Sequence, residues 1–202
     1  MHHPGAAKGG VMPVTVITDS TASLPEEMYA RYQMMMVPYY IHYGDRAARD
    51  MIDVRPAEFN AYLQSLPLQA PLPKTANPGP GDYLSAFASA AQRTREIISF
   101  HLGSISSGAY QAACIARDMA VERLRDVRIE VVDTRNVAMC HGWISLQAAR
   151  AAIQGAGLED VMHLVRKILP VTRMIQTADT LRYLYMGGRI GRAKHLVGSF
   201  LN

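Results

Sequence analysis

Three apolar runs, each followed by a polar turn and then a helical stretch, constrain this chain more than any other feature. Val14-Thr15-Val16-Ile17-Thr18 leads into Asp19-Ser20-Thr21, residues 96–101 lead into the loop 102–107, and residues 128–133 lead into Thr134. Runs that are β-branched or apolar at successive positions are buried on both faces, as strands of a parallel sheet are. Parallel neighbours need long crossovers, and residues 82–94, 108–124 and 139–154 read as the helices that supply them. The pattern predicts a doubly wound parallel α/β domain. Such sheets bind ligands beyond the carboxyl ends of their strands. Asp19, Ser20 and Thr21, the stretch from Ser104 to Ser107, and Asp133-Thr134 are therefore the segments expected at a binding rim.

The remaining pattern is less regular. Ser23-Leu24-Pro25-Glu26 has capping-box spacing, residues 36–43 read as one strand ended by Gly44-Asp45, and Pro56 opens a helix to residue 66. Five of the eleven prolines lie from Pro67 to Pro80, which reads as a connection across the surface. Residues 158–169 read as a helix and 171–178 as a strand interrupted by Arg173 and Gln176. Asp179 then reads as the cap of a short helix that Gly187-Gly188 terminates.

Composition closes several routes. With 49% hydrophobic and 19% charged residues the 202-residue chain is of ordinary globular type. No run of eighteen apolar residues is present, so no membrane span is expected. Residues 1–12 lack the apolar centre of a signal peptide and read as a disordered segment. Cys114 and Cys140 are isolated from one another, which fits a reducing cytoplasm. Residues 150–202 hold 8 Lys/Arg against 3 Asp/Glu. Without interleaved aromatics or a reading motif, that basic bias is no nucleic-acid signature. No Walker, GxGxxG, HExxH or CxxC pattern occurs, so neither a cofactor nor a metal is expected.

Two loops carry the chemistry. One runs Lys74-Thr75-Ala76-Asn77-Pro78-Gly79 and the other Ser104-Ile105-Ser106-Ser107-Gly108, and each opens onto a helix. A hydroxyl beside the free N–H groups of a helix start suits a carboxylate or phosphate. Thr75, Ser107 and Gly108 are thus candidate ligand-binding residues. Helix capping is the other role open to the two hydroxyls, and Ser104 and Ser106 read as turn formers. Arg189, just past a glycine pair, has the planar fork that grips an anion, or it complements the end of the preceding helix. An alternative function is a serine-dependent enzyme acting on a small acyl or phosphorylated substrate through Ser107. The Gly-x-Ser-x-Gly elbow is absent, and no Asp/His order around His101 or His141 compels it.

From Val14 to Asn202 the chain resembles the DegV family of bacterial fatty-acid-binding proteins. The resemblance rests on Ile17-Thr18-Asp19-Ser20-Thr21, on Lys74-Thr75 with Pro78, and on Ser107-Gly108, Tyr110-Gln111 and Ala113. Asp133 with Gly142 fits as well, as do Asp179-Thr180-Leu181 and Gly187-Gly188-Arg189-Ile190. It implies one long-chain fatty acid held between two α/β domains, its head group on Thr75 and Ser107. It further implies presentation of that acid to a partner kinase that makes an acyl phosphate, so the protein would be a carrier and not an enzyme. Ala76 and Gly79 depart from the family's serines. Residues 13–169 are expected to form the DegV-like N-terminal domain, and 170–202 the start of an incomplete C-terminal lipid-binding domain. Val171, Met174, Ile175, Leu181, Leu184, Leu196, Val197, Phe200 and Leu201 make that end apolar. One strand and two short helices cannot bury such a set, so a homo-oligomer of this truncated form is expected. Met34-Met35-Met36 adds an adaptable apolar surface of the sort lipid pockets use.

Overall fold

The computed structural model describes residues 13–67 and 69–190. In chain order the first half runs β1 (Val14–Asp19), α1 (Glu26–Arg31), β2 (Met35–Val37), β3 (Tyr40–Tyr43), β4 (Arg46–Arg49), α2 (Pro56–Ser65) and β5 (Lys74–Ala76). The second half runs α3 (Pro80–Ala91), β6 (Glu96–His101), α4 (Ala109–Arg123), β7 (Arg128–Asp133), α5 (Ala138–Ile153), α6 (Leu158–Ile168) and α7 (Arg182–Met186). Short 3-10 turns follow β1 at Ser20–Ala22 and α6 at Leu169–Val171.

The expected parallel sheet is present, with strand order β2-β1-β6-β7. All six residues of β1 are buried, because helices cover both faces. Val14, Val16, Ile98 and Phe100 pack under α5 and α6 through Ile144, Ala148, Leu158 and Val161. Ile17, Ile97 and Ile129 face the other way, toward α3 and α4. Ala109, Ala112, Ala113, Ala116 and Ala120 form a stripe of small residues along α4, and α4 packs tightly on α3 for that reason.

Strand order also fixes where a ligand can sit. From β1 the chain steps outward to β2, and later returns to β6 on the opposite side. The connections leaving β1 and β6 therefore diverge and leave a crevice at their carboxyl ends. One glycine sets the shape of that crevice. A Cβ on Gly142 of α5 would stand 2.2 Å from the Ala22 carbonyl oxygen, so the turn after β1 rests directly on helix backbone.

A second, antiparallel sheet of order β4-β3-β5 stands beside the first, over Ile41, Ala48, Val54 and the clustered rings of Tyr43, Phe59 and Tyr62. It accounts for two differences from the sequence reading. The single strand expected over 36–43 is two strands in two sheets, because Pro38 has no N–H for a ladder and turns the chain between them. The proline-rich connection contains β5, where the three residues after Pro73 pair with β3.

Three local expectations fail. Residues 171–178 form no strand, since no described segment offers them a ladder. Among their anchors are the Thr172 N–H and hydroxyl on the Ile168 carbonyl, Asn136 Nδ2 on the Thr172 carbonyl, and a long contact from Cys140 Sγ to the Arg173 carbonyl. Ser23 does not cap α1: it closes the preceding 3-10 turn at φ 53°, and Pro25 stands at the cap position. Nor does Asp179 cap α7, whose first N–H donates to Thr180 Oγ1 instead. The glycine pair does end α7, with Gly188 at φ 71°. Residues 1–12 and 191–202 lie outside the described residues, and with them Leu196, Val197, Phe200 and Leu201. Among the described residues, no helix is long and apolar enough to cross a membrane.

Candidate ligand-binding cleft

The antiparallel pairing brings the two hydroxyl loops together. Thr75 sits opposite Ile41 in the β3–β5 ladder, which carries the first loop to the carboxyl edge of the main sheet. Asn77 of that loop touches the second: its Oδ1 lies 3.3 Å from where a Cβ on Gly108 would sit. Between the loops lies a cleft of about 640 Å³, and Thr75, Ser107, Gly108 and Arg189 all line it. Tyr39, Ile41, Leu102, Val137, Met174 and Leu184 supply its apolar wall. A cleft of this size, largely apolar with polar groups gathered at one place, is the usual form of a small-molecule site.

The two helix starts are not equivalent. At α3 the Gly79 N–H is taken by Asp82 Oδ2 at 2.8 Å. At α4 the Ala109 N–H donates to Ser107 Oγ at 3.2 Å, so Ser107 does serve its own helix. It also stands 2.7 Å from the Tyr39 hydroxyl. Burial, strengthened by the Asp19 carboxylate and only partly offset by Ser107 and Arg189, raises the Tyr39 hydroxyl far above the ordinary phenol range. Thr75 and Gly108 are exposed at the mouth, and Arg189 is exposed with Nη1 on the Gly187 carbonyl at 2.9 Å. Ser104 is a turn former as expected, its hydroxyl 2.6 Å from Asp133 Oδ2. Ala76 lies in the β5 ladder opposite Tyr40.

Beneath the cleft is a polar cluster that sequence reasoning missed. Asp19, His101 and His141 are all fully buried. Asp19 accepts from the N–H groups of Thr21 and Leu102 and from the Thr21 hydroxyl, which ties the end of β1 to the end of β6. His101 Nδ1 lies 3.7 Å and His141 Nδ1 3.8 Å from its two oxygens. These distances are too long for full hydrogen bonds but close enough for strong charge coupling at a buried site. Burial by itself raises the Asp19 carboxyl. The contact with His101 and the fields of His141 and His101 outweigh that and hold it below the usual carboxylate range. Burial pushes His141 below the usual imidazole range, against the pull of Asp19, so it is neutral at pH 7. Thr21 joins this cluster to the cleft that it also lines. Strand register was the available signal: Phe100 pairs with Thr18 in a parallel ladder, so Asp19 and His101 end adjacent strands at one level.

Neither histidine contacts Ser107. His101 Nε2 pairs with Ser99, and His141 pairs with Thr18 and Thr21. The nucleophile–base geometry that an enzyme reading needs is not formed here. Among the described residues, no group of three or more metal-ligating side chains can hold an ion.

A parallel α/β sheet with a part-apolar cleft at its switch point, bordered by hydroxyls and a helix start, is the arrangement in which α/β proteins hold small ligands. The family described as "Uncharacterised protein, DegV family" matches residues 13–202. A DegV domain-containing protein of Caldanaerobacter subterraneus is 33% identical over 94% of this chain and 65% of its own length. The chain thus belongs to the DegV family and spans about two thirds of the length of such relatives. Solved structures share its fold, among them the following two. A DegV family protein from Thermus thermophilus, described by its fatty-acid binding, has a TM-score of 0.78 at 28% identity, over 95% of this chain and 65% of that one. DegV of Bacillus subtilis, described as a fatty acid binding protein, has a TM-score of 0.79 at 25% identity, over 95% and 66%.

Proposed function

We propose that this protein binds one long-chain fatty acid as a carrier, with the carboxylate at Thr75, Ser107, Gly108 and Arg189 and the acyl chain along the apolar wall. One observation carries the reading: the two hydroxyl loops, the α4 start and an arginine all face one part-apolar cleft. The family supports it, since two similar solved structures are described by their fatty-acid binding. Thr75, Gly108 and Arg189 stand exposed at the mouth, where a second protein can reach a bound head group. We read that exposure as fitting presentation of the carboxylate to a partner kinase, for transfer of a phosphoryl group to it. Residues 13–169 are then the head-group domain and 170–202 the first part of a second, lipid-covering domain. Lipid extraction and native mass spectrometry of protein purified from cells test the carrier reading. A co-purifying fatty acid at one per chain is the expected result. Turnover of an activated ester that disappears in Ser107→Ala is the result that replaces the carrier with an enzyme.

A further inference from the structure

We propose that Tyr39, acting with Ser107 as a single hydrogen-bonding unit, is a specificity-determining residue of the cleft, and that the unit demands an acceptor head group. This rests on the carrier reading above and adds to it a residue and a selection rule. Their hydroxyl oxygens are 2.7 Å apart, so one of their two protons is shared between them. Ser107 Oγ also accepts the Ala109 N–H. If Tyr39 donates to Ser107, the serine has accepted twice and its own proton is left over. If Ser107 donates to Tyr39, the phenol proton is left over. In both arrangements one hydroxyl proton has no partner among the described residues, and both side chains line the cleft. Tyr39 is only 6% exposed and Ser107 is half-buried, so the pair is largely shielded from bulk water.

The unit is also held in place. Pro38 turns the chain between the two sheets, the Tyr39 N–H donates to Ser20 Oγ at 3.0 Å, and its carbonyl accepts the Asp50 N–H at 2.8 Å. With its backbone fixed on both sides and its ring packed in the core, the phenol is held beside Ser107 before any ligand arrives. A carboxylate supplies the acceptor, a methyl ester supplies a weaker one, and a primary ammonium supplies none while also meeting Arg189 across the same cleft.

The test is binding of stearate, methyl stearate and stearylamine to the 202-residue chain and to Tyr39→Phe, Ser107→Ala and the double variant. Tyr39→Phe keeps the ring and its packing, and methyl stearate binding serves in each variant as the check that the cleft is intact. Wild type should prefer stearate over methyl stearate and bind stearylamine least. Each single variant leaves one hydroxyl proton but removes the neighbour that aims it, so each should weaken stearate by about tenfold or more and weaken methyl stearate by much less. The double variant, which alone has no hydroxyl proton left at this place, should be weaker than either single variant. Stearate binding by Tyr39→Phe equal to wild type overturns the role of Tyr39 while leaving the carrier reading standing. Equal binding of stearate, ester and amine by wild type overturns the selection rule. A wild-type chain that takes none of the three removes the carrier reading, and this inference with it.

Discussion

At Thr75 and Ser107 the fold places a hydroxyl where a carboxylate can meet it, and truncation measures what each contributes. Thr75→Ala and Ser107→Ala should each weaken fatty-acid binding by about 1.5–3 kcal/mol, the range for hydrogen bonds to a charged partner, as read by calorimetry. Unchanged affinity in both would reduce them to local structure, Thr75 in its ladder and Ser107 at its helix. The buried Asp19–His141 contact makes a different prediction, about pH. His141 has a folded value below its ordinary 6.5, so folding carries no cost from it above pH 6.5 and progressively more as pH falls toward that lower value. Asp19 has a folded value below 3.8, so its contribution is complete above pH 3.8 and is lost as pH falls through the lower value. Urea midpoints should therefore hold level between pH 6.5 and about 9, below the ordinary tyrosine range, and decline on acidification in two stages. His141→Gln should remove the earlier stage; an unaltered slope between pH 6.5 and 4 would show that another group carries it.

Elements and their junctions differ in how openly the sequence declares them. Gly142 marks a junction: its missing Cβ lets α5 rest on the turn Ser20–Ala22, and Gly142→Ala forces a methyl group to within 2.2 Å of a backbone oxygen. Overpacking of that kind should cost about 3 kcal/mol in chemical denaturation and should push Thr21 out of line with the cleft, lowering ligand affinity as well. A stability change under about 1 kcal/mol would mean that α5 can slide aside. The strands β1, β6 and β7 were legible because burial on both faces leaves an unbroken apolar run, α3 to α5 because their stops are a glycine or polar turns, and α6 because Gly157 precedes it and Pro170 follows. Short edge strands such as β5 have no such mark. Lys74-Thr75-Ala76 becomes a strand only because β3 offers a free edge, which is tertiary context. Residues 171–178 failed in the opposite direction, being β-branched enough to read as a strand yet without a partner edge. Thr75, Ser107, Gly108 and Arg189 were legible as candidates through loop chemistry, and all four line the cleft. Tyr39 and His141 were not, since their roles depend on which strands and helices end beside them.

Across the whole molecule, apolar side chains remain exposed around the same sheet edge. Ile105 is 97% and Ile175 91% exposed, Val171 is 74%, and Met139 and Trp143 are about half exposed one turn apart on α5. Val137 and Met174 line both the ligand cleft and a neighbouring hollow of about 360 Å³ that reaches Ile105. Monomeric proteins seldom leave a patch of this kind bare, and its place beside the cleft motivates the proposal that further protein or lipid covers it. Ile105→Asp and Ile175→Asp distinguish this from a packing role. Each side chain is almost wholly in water, so each change should alter folding stability by no more than about 0.5 kcal/mol. If the patch mediates self-association of this 202-residue chain, wild type should run above monomer mass in light scattering at micromolar concentration, and the double substitution should bring it down to monomer. A charge placed beside the cleft should also weaken acyl-chain binding, more for stearate than for a short acid such as octanoate, because only the longer tail reaches the substituted surface. A wild-type monomer that binds both acids as well as the doubly substituted chain does would remove any role for this surface.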